Sequence, residues 1–314
     1  MPAMAVAPTW FNKKRGFALG IMSAGTGIGG LVWAPGLRAL INNVGFRNAL
    51  RISGAITGFL IILAGVVLDW DPETKSRLSN QKAENGSQQF PLWKVPLVDM
   101  QLAKTRRFWA HLIGCGLQSA AYYTPVFFLS AYARTLGYSA AQGANFIAIN
   151  NACNAIGKIC IGLIADRFGR INTLIVTTMI SSFGILIFWL PSCLFQQDGP
   201  AKGLFLAFTL SYGLFASGYI SLFPASLIEL FGFAEFAKVN GFLYMARGVT
   251  VLFGTPLAGL LINHNVNLQP GSMKASDSGY WKMAIMIGVL LFASSISAYC
   301  AKFDKRVHSH RLQE

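Results

Sequence analysis

Two basic side chains, Lys158 and Arg247, fall deep inside apolar runs of the chain. A cation in such a setting costs about 2.5–3.5 kcal/mol even on the lenient insertion scale, so it faces a polar cavity or a partner. What a buried cation can do is attract an anion, such as the carboxylate of a small solute. Lys158 has a second reading, because it stands roughly two turns from a charged turn at 166–170, near enough for its stem to snorkel to an interface. Arg247 also has a second reading, as a structural partner of Glu229 or Glu235. Near Lys158, Asn145, Asn150, Asn151 and Asn154 recur at spacings compatible with one broad helical face. They either hydrogen-bond a solute or bind helices to one another. On a later run, Tyr212, Ser217, Tyr219 and Ser221 are further candidates for a polar cavity wall.

No other chemistry is spelled out. The cysteines at 115, 153, 160, 193 and 300 form no Cys-x-x-Cys pair and have no histidine cluster beside them, so neither a metal site nor a disulfide framework is expected. His111 and His264 fall near the ends of apolar runs, where a solvated or interfacial ring is the expectation and a proton relay the alternative. A nucleophile, a metal cluster and a cofactor motif are all missing from the sequence, which argues against an enzyme and implies no cofactor. No repeated pore-lining ring or filter motif suggests a channel.

The elements that must position these residues follow from composition. Hydrophobic residues make up 54% of the chain and charged residues 12%, with mean hydropathy +0.48. Soluble domains carry about 25% charged residues, so the chain reads as an all-α, multi-span membrane protein. The net charge of +14 does not indicate nucleic acid, because the basic residues are dispersed between apolar runs. Membrane lipid is the expected counter-charge. A span needs about 20 apolar residues, which places eight of them near 16–41, 48–68, 108–133, 140–165, 171–195, 203–231, 239–263 and 280–301. An even count puts both termini on one side. Lys13-Lys14-Arg15 at one end and Lys302, Lys305, Arg306 and Arg311 at the other then make that side cytoplasmic. Residues 70–106 are polar and read as a cytoplasmic linker, disordered in its middle. From Pro91 to Arg107 the linker alternates apolar and basic residues, a pattern suited to the membrane surface. The glycan acceptor pattern Asn85-Gly86-Ser87 is expected to stay unmodified on the cytoplasmic side.

Between the fourth and fifth spans lies Gly162-Leu163-Ile164-Ala165-Asp166-Arg167-Phe168-Gly169-Arg170. Glycines at 162 and 169 allow a sharp turn and close approach of helix ends, since Gly takes positive φ without a steric cost. This Gly-x-x-x-Asp-Arg-x-Gly-Arg run resembles the signature loop of the major facilitator superfamily of secondary transporters at every fixed position. The resemblance implies that Gly162, Asp166, Arg167, Gly169 and Arg170 form a gating loop, with Asp166 capping a helix of the other half of the molecule. A carboxylate there is worth about 0.3–1 kcal/mol when exposed, enough to bias two states without freezing either.

The stretch Trp10-Phe11-x-Lys13-Lys14-Arg15-Gly16-Phe17-Ala18-x-Gly20, followed by Ala24-Gly25-Thr26-Gly27-x-Gly29-Gly30, resembles the fourth-to-fifth-helix junction of the monocarboxylate-porter branch, particularly its fungal members. Gly16-x-x-x-Gly20 and Gly25-x-x-x-Gly29 predict a face of bare backbone for close helix contact. In that branch the eighth helix carries an Asp for proton coupling and, four residues on, an Arg after a Gly that holds the anion. Here those positions read Asn154 and Gly157-Lys158. Asn154 cannot titrate, which puts proton coupling and lactate-type transport in doubt, while Lys158 still supplies a point charge.

By this resemblance the fold is a major-facilitator-type helical bundle. Residues 1–69 are a two-helix remnant of the N-terminal bundle and 70–106 the linker. Residues 107–303 are a complete six-helix C-terminal half, and 304–314 a cytoplasmic tail. Helices one to four of the family are missing, so the expectation is a truncated product or gene model of a full transporter, with self-association or assembly with another chain as the alternative. The function implied is carriage of a small organic solute, a monocarboxylate or other organic anion, across the plasma or vacuolar membrane by alternating access. Its rival is a truncated chain that no longer transports and acts by binding a partner. Lys158, Asn154, Asn150, Asn151, Arg247, Tyr219 and Ser221 are the candidate solute-binding residues; no metal and no nucleic acid is expected.

Overall fold

The computed structural model describes residues 14–69, 104–195, 200–262 and 279–303, together with Val6, Trp10, Phe11, 71–72, 75–76 and Ser79. The middle of the linker, Asn85, the amphipathic stretch before Lys104, His264 and the C-terminal tail lie outside the described residues. Among those described, seven helical stretches are long and apolar enough to cross a membrane. The elements are α1 (Arg15–Val67), α2 (Arg106–Thr135), α3 (Ala140–Phe168), α4 (Arg170–Gly184), α5 (Leu190–Leu194), α6 (Pro200–Ala216), α7 (Gly218–Phe231), α8 (Phe233–Leu260) and α9 (Tyr280–Phe303). A π-helical segment, Ile185–Trp189, joins α4 to α5 in one span, and α6 and α7 meet at Ser217 in another.

The 53 residues of α1 would reach about 80 Å if straight, far beyond a hydrocarbon core of about 30 Å. They do not run straight. Gly45 takes φ 78° and ψ 163°, outside helical values, and the chain reverses there. The Trp10 indole nitrogen donates to the Asp69 carbonyl at 3.0 Å, which brings the two ends of α1 together. The first stretch is therefore an antiparallel pair, and the expected eight segments are recovered as seven helical stretches with the first folded in two.

Short, chemically defined turns connect the rest. Thr105 caps α2 by accepting from Phe108 N at 3.3 Å. Ser139 opens α3 with a capping box: its hydroxyl accepts from Gln142 N, and the Gln142 side chain accepts from Ser139 N. Gly169, at φ 90°, is the single residue between α3 and α4. Because consecutive spans alternate in direction, two cores stack along the bundle. One gathers Tyr132, Phe146, Trp189, Phe205, Phe208, Tyr280 and Ile287. The other, at the Gly169 end, gathers Phe108, Ile161, Leu174, Tyr219, Phe223, Leu227 and Leu243. In the first, Tyr132 sets its ring edge-on to Trp189, Phe205 and Tyr280 and shares a hydrogen bond with the Ser192 hydroxyl at 2.9 Å. Hydroxyls also tie helix to helix: Ser294 donates to Gly114 O, Ser297 to Ala110 O and Ser182 to Gly288 O, at 2.6–2.7 Å. Such bonds substitute for the hydrophobic driving force that lipid does not supply.

Pro224 lies inside α7, and the span shared by α6 and α7 is interrupted at Ser217. One expectation changes. The glycine face of α1 is different from the one expected. A Cβ on Gly16, Gly20, Gly27 or Gly30 would meet α3 atoms at 2.5–2.8 Å, whereas Gly25 and Gly29 have nothing within 4 Å. At about 100° per residue, the first four share an arc of about 80° and the other two lie on the opposite side. Gly16, Gly20, Ser23, Gly27 and Gly30 form the seam.

Candidate functional site

At the Gly169 end, the Asp166 carboxylate accepts from Gly16 N at 2.8 Å through Oδ1 and from Phe17 N at 2.9 Å through Oδ2. These amides belong to the first turn of α1, whose donors lack intrahelical partners. The carboxylate therefore satisfies two of them and lies at the positive end of the helix dipole. Gly162 lets the backbones approach: a Cβ there would sit 2.5 Å from Gly16 O. The Arg170 guanidinium lies 3.5 Å from Asp166 Oδ1, and Arg170 N, at the start of α4, donates to Glu229 Oε2 at 3.1 Å. Two carboxylates, each from another helix, thus hold two helix starts. Arg167 and Phe168 are exposed. Lys302 near the end of α9 donates to Asn172 Oδ1 at 2.7 Å, so the start of α1 and the end of α9 lie at the same end of the bundle.

About two turns of α3 further in, Lys158 is buried, with 2% of its surface exposed, which removes the snorkelling reading. Its ammonium donates to Ser23 O at 3.2 Å and to Thr26 Oγ1 at 2.5 Å, both on α1. Gly157 faces the other way, where a Cβ would run into the Leu214 carbonyl of α6. The Gly-Lys pair thus lets α6 approach on one side of α3 and ties α1 on the other.

The asparagines do not share one face. Asn151 packs on Gly27 and Gly30 of α1, Asn150 lies against Gly213 of α6, and Asn145 is exposed. Asn154 donates to the Tyr122 hydroxyl of α2 at 3.2 Å, leaving its Oδ1 buried and without a partner. Three of the four candidates beyond α3 split differently. Ser221 donates to Gly218 O within its own helix, Ser217 to Leu214 O, and Tyr212 to Tyr122 O, so their hydroxyls are committed.

Arg247 does not pair with Glu229 or Glu235: Glu229 holds α4, and Glu235 lies 3.4 Å from Lys238. Its guanidinium is buried in the second core. Nε donates to Ser119 Oγ at 2.7 Å and one terminal nitrogen to Gln118 Oε1 at 3.1 Å. The rings of Phe223, Tyr244 and Tyr219 surround it at 4.7, 5.3 and 5.5 Å. His111 is not interfacial. It is 1% exposed and stacks on Phe223 at 5.5 Å. Ser23, Thr26, Gln118 and Ser119 are the site residues that reading the sequence missed. A serine or threonine one turn from a seam glycine was the available signal for the first two.

Lys158 and Arg247 therefore occupy two separate polar centres. One lies on the α1–α3 seam and the other between α2, α7 and α8.

The sequence model of the Major Facilitator Superfamily matches residues 1–198 and 147–313. An MFS-type transporter of Gibberella moniliformis is 26% identical over 94% of this chain and 63% of its own length. MFS-type transporter hasB of Aspergillus fumigatus is 28% identical over 87% of this chain and 60% of its own. The Agnestins efflux protein AgnL12 of Paecilomyces divaricatus is 27% identical over 96% of this chain and 61% of its own. The chain spans about three-fifths of the length of these relatives.

Proposed function

Because the chain belongs to the Major Facilitator Superfamily, and so to the integral multi-pass membrane proteins, we propose that it serves as a carrier of a small organic solute by alternating access. The observation that carries this reading is the two-point cap of Asp166 on α1 across a seam of glycine backbone. Such a seam closes by hydrogen bonds and close backbone contact, with little interdigitated side-chain packing to undo. A carboxylate at a helix start contributes about 0.3–2 kcal/mol, and a bias of that size is one a solute's differential binding can reverse. α1 moves against the six spans from α2 to α9, and the seam is the gate.

In this reading the gate lies at the cytoplasmic face, with Lys14 and Arg15 at one end of the described chain and Lys302 at the other. The plasma or vacuolar membrane is its place. The junction from Trp10 to Gly30 supports a monocarboxylate-porter-like branch, and the two buried cations support an organic anion as the solute. Asn154 keeps an unpartnered buried oxygen but has no titratable group, so it couples no proton at that position. The name of the Agnestins efflux protein supports export as the direction.

Solute flux in proteoliposomes tests the proposal, with this chain reconstituted alone and together with a segment supplying further N-terminal helices. Saturable flux in either preparation, lost in Asp166→Asn, is the expected result. Diffusive, unsaturable leakage in both would overturn it.

A further inference from the structure

The polar centre between α2, α7 and α8 has more donors than the protein uses. Arg247 is 6% exposed, and one terminal guanidinium nitrogen has no partner. The Tyr219 hydroxyl and both ring nitrogens of His111 are likewise buried and unpartnered. Buried polar side-chain atoms are nearly always hydrogen-bonded, so orphans clustered on three neighbouring side chains ask for a cause. Charge gives the same signal. Gln118 and Ser119, the partners Arg247 does have, are neutral, and no ion pair among the described residues includes it. Its positive charge has no counter-ion among the described residues.

What surrounds that charge is aromatic. Phe223 presents its ring to the guanidinium at 4.7 Å and to the His111 ring in a near-parallel stack, 9° apart. Tyr219 stacks on Phe223 from the next turn, and Tyr244 meets it edge-on at 5.4 Å. Rings of this kind hold a bare guanidinium in place through their negative faces; Phe223 and Tyr219 are 0% and 2% exposed, so a flat ligand reaches their faces only as the rings part. Gln118 and Ser119 fix the guanidinium plane, leaving one arm of its fork for an incoming oxygen. Tyr244 is only partly buried, so the centre lies one side chain from the surface.

We propose that this centre binds a planar aromatic anion, its carboxylate or phenolate oxygen held by the free arm of Arg247 and the Tyr219 hydroxyl. The ligand's ring lies among Phe223, Tyr244 and Tyr219. A cation is excluded by the charge already present. A neutral polyol would leave that charge unmatched, and an aliphatic acid would leave the ring walls unused. The proposal deepens the carrier reading by naming the chemistry of its solute, and it rests on that reading only for what happens after binding.

Binding is measured without flux, on the full chain in lipid nanodiscs, by calorimetric titration with 2-naphthoate. Two comparison probes are cyclohexanecarboxylate, which has the charge without the aromatic face, and 2-naphthamide, which has the face without the charge. Saturable binding of 2-naphthoate is expected, at least about tenfold tighter than either comparison probe. Arg247→Gln abolishes it. Because Arg247→Gln also removes the bonds to Ser119 and Gln118, Tyr219→Phe is the cleaner variant: it deletes a hydroxyl that holds nothing in the free protein. Tyr219→Phe should melt at the parent temperature and bind 2-naphthoate about tenfold more weakly, the loss of one hydrogen bond to a charged group. Unchanged affinity in Tyr219→Phe, or equal affinity for 2-naphthamide, overturns the proposal. So does absence of 2-naphthoate binding in a preparation that carries another solute, which leaves the carrier reading standing. Tight 2-naphthoate binding with no flux of any solute supports the receptor and counts against the carrier.

Discussion

Gly20→Ala places a methyl group where the structure has no room for one. An ideal Cβ at Gly20 lies 2.5 Å from the Lys158 carbonyl oxygen, and its counterpart at Gly27 lies 2.7 Å from Asn151 O. Ordinary van der Waals contact begins at 3.4 Å, and the opposing atoms are backbone, which cannot rotate away. The seam must therefore open by a large part of an ångström, and overpacking of this kind costs about 1–3 kcal/mol. Alanine also raises helix propensity by about 1 kcal/mol over glycine, so the single substitution understates the steric cost. Gly25→Ala removes that ambiguity. It gains the same propensity on the same helix but faces open space. The difference between Gly20→Ala and Gly25→Ala should thus be about 1–3 kcal/mol, a factor of about 5–150. Unfolding in mixed detergent micelles, followed by far-ultraviolet circular dichroism, reads it as a lower midpoint for Gly20→Ala and an unchanged or higher one for Gly25→Ala. Equal midpoints, or a greater loss at Gly25, would refute the register of α1 on α3.

Lys158→Met replaces a buried ammonium by an apolar chain of similar length. Its two acceptors keep other partners, since Thr26 Oγ1 itself donates to Ser23 O at 2.9 Å. The midpoint should change by less than about 1 kcal/mol, while uptake of an anionic solute falls by at least about tenfold. A large drop in stability with intact uptake would make Lys158 a structural tie. The Asn85-Gly86-Ser87 acceptor should remain unglycosylated when the chain is expressed in a secretory-competent eukaryotic cell. A mobility shift removed by endoglycosidase would place the linker on the opposite side of the membrane.

Much of the architecture can be read from apolar run length, because a bilayer imposes one length on every span. The run at 140–165 became α3 (Ala140–Phe168) and that at 280–301 became α9 (Tyr280–Phe303). The signature run also marked where Asp166 and Gly169 would stand, since an acid and a glycine between two spans have few other uses. Lateral direction was harder to see. Gly16-x-x-x-Gly20 and Gly25-x-x-x-Gly29 have the same spacing, and spacing does not say which of two opposed faces has a neighbour. The asparagines of α3 fan toward three different helices for a similar reason: a broad face on a central helix touches several partners. The structural reading of Arg247 looks to glutamates nearby in the chain, although a turn between antiparallel spans can put such residues on different sides of the bundle. His111 looked interfacial because it lies near the start of α2, yet its ring points inward onto Phe223. The π segment at Ile185–Trp189 carries no proline or glycine to announce it.

Whether the α1–α3 seam opens is the question on which the account depends, and a distance measurement across it answers most directly. Spin labels at Ile21 on α1 and Leu163 on α3, both about half exposed, are placed in a background lacking the exposed Cys160 and Cys300. Double electron–electron resonance on the reconstituted protein should resolve two distances. Asp166→Asn, which removes the charge and one of the two acceptors at Gly16 and Phe17, should favour the longer distance by about 5–30-fold, equivalent to about 1–2 kcal/mol. A single distance, the same in the parent and in Asp166→Asn, would mean that α1 and α3 form a fixed structural pair and that no gate operates there.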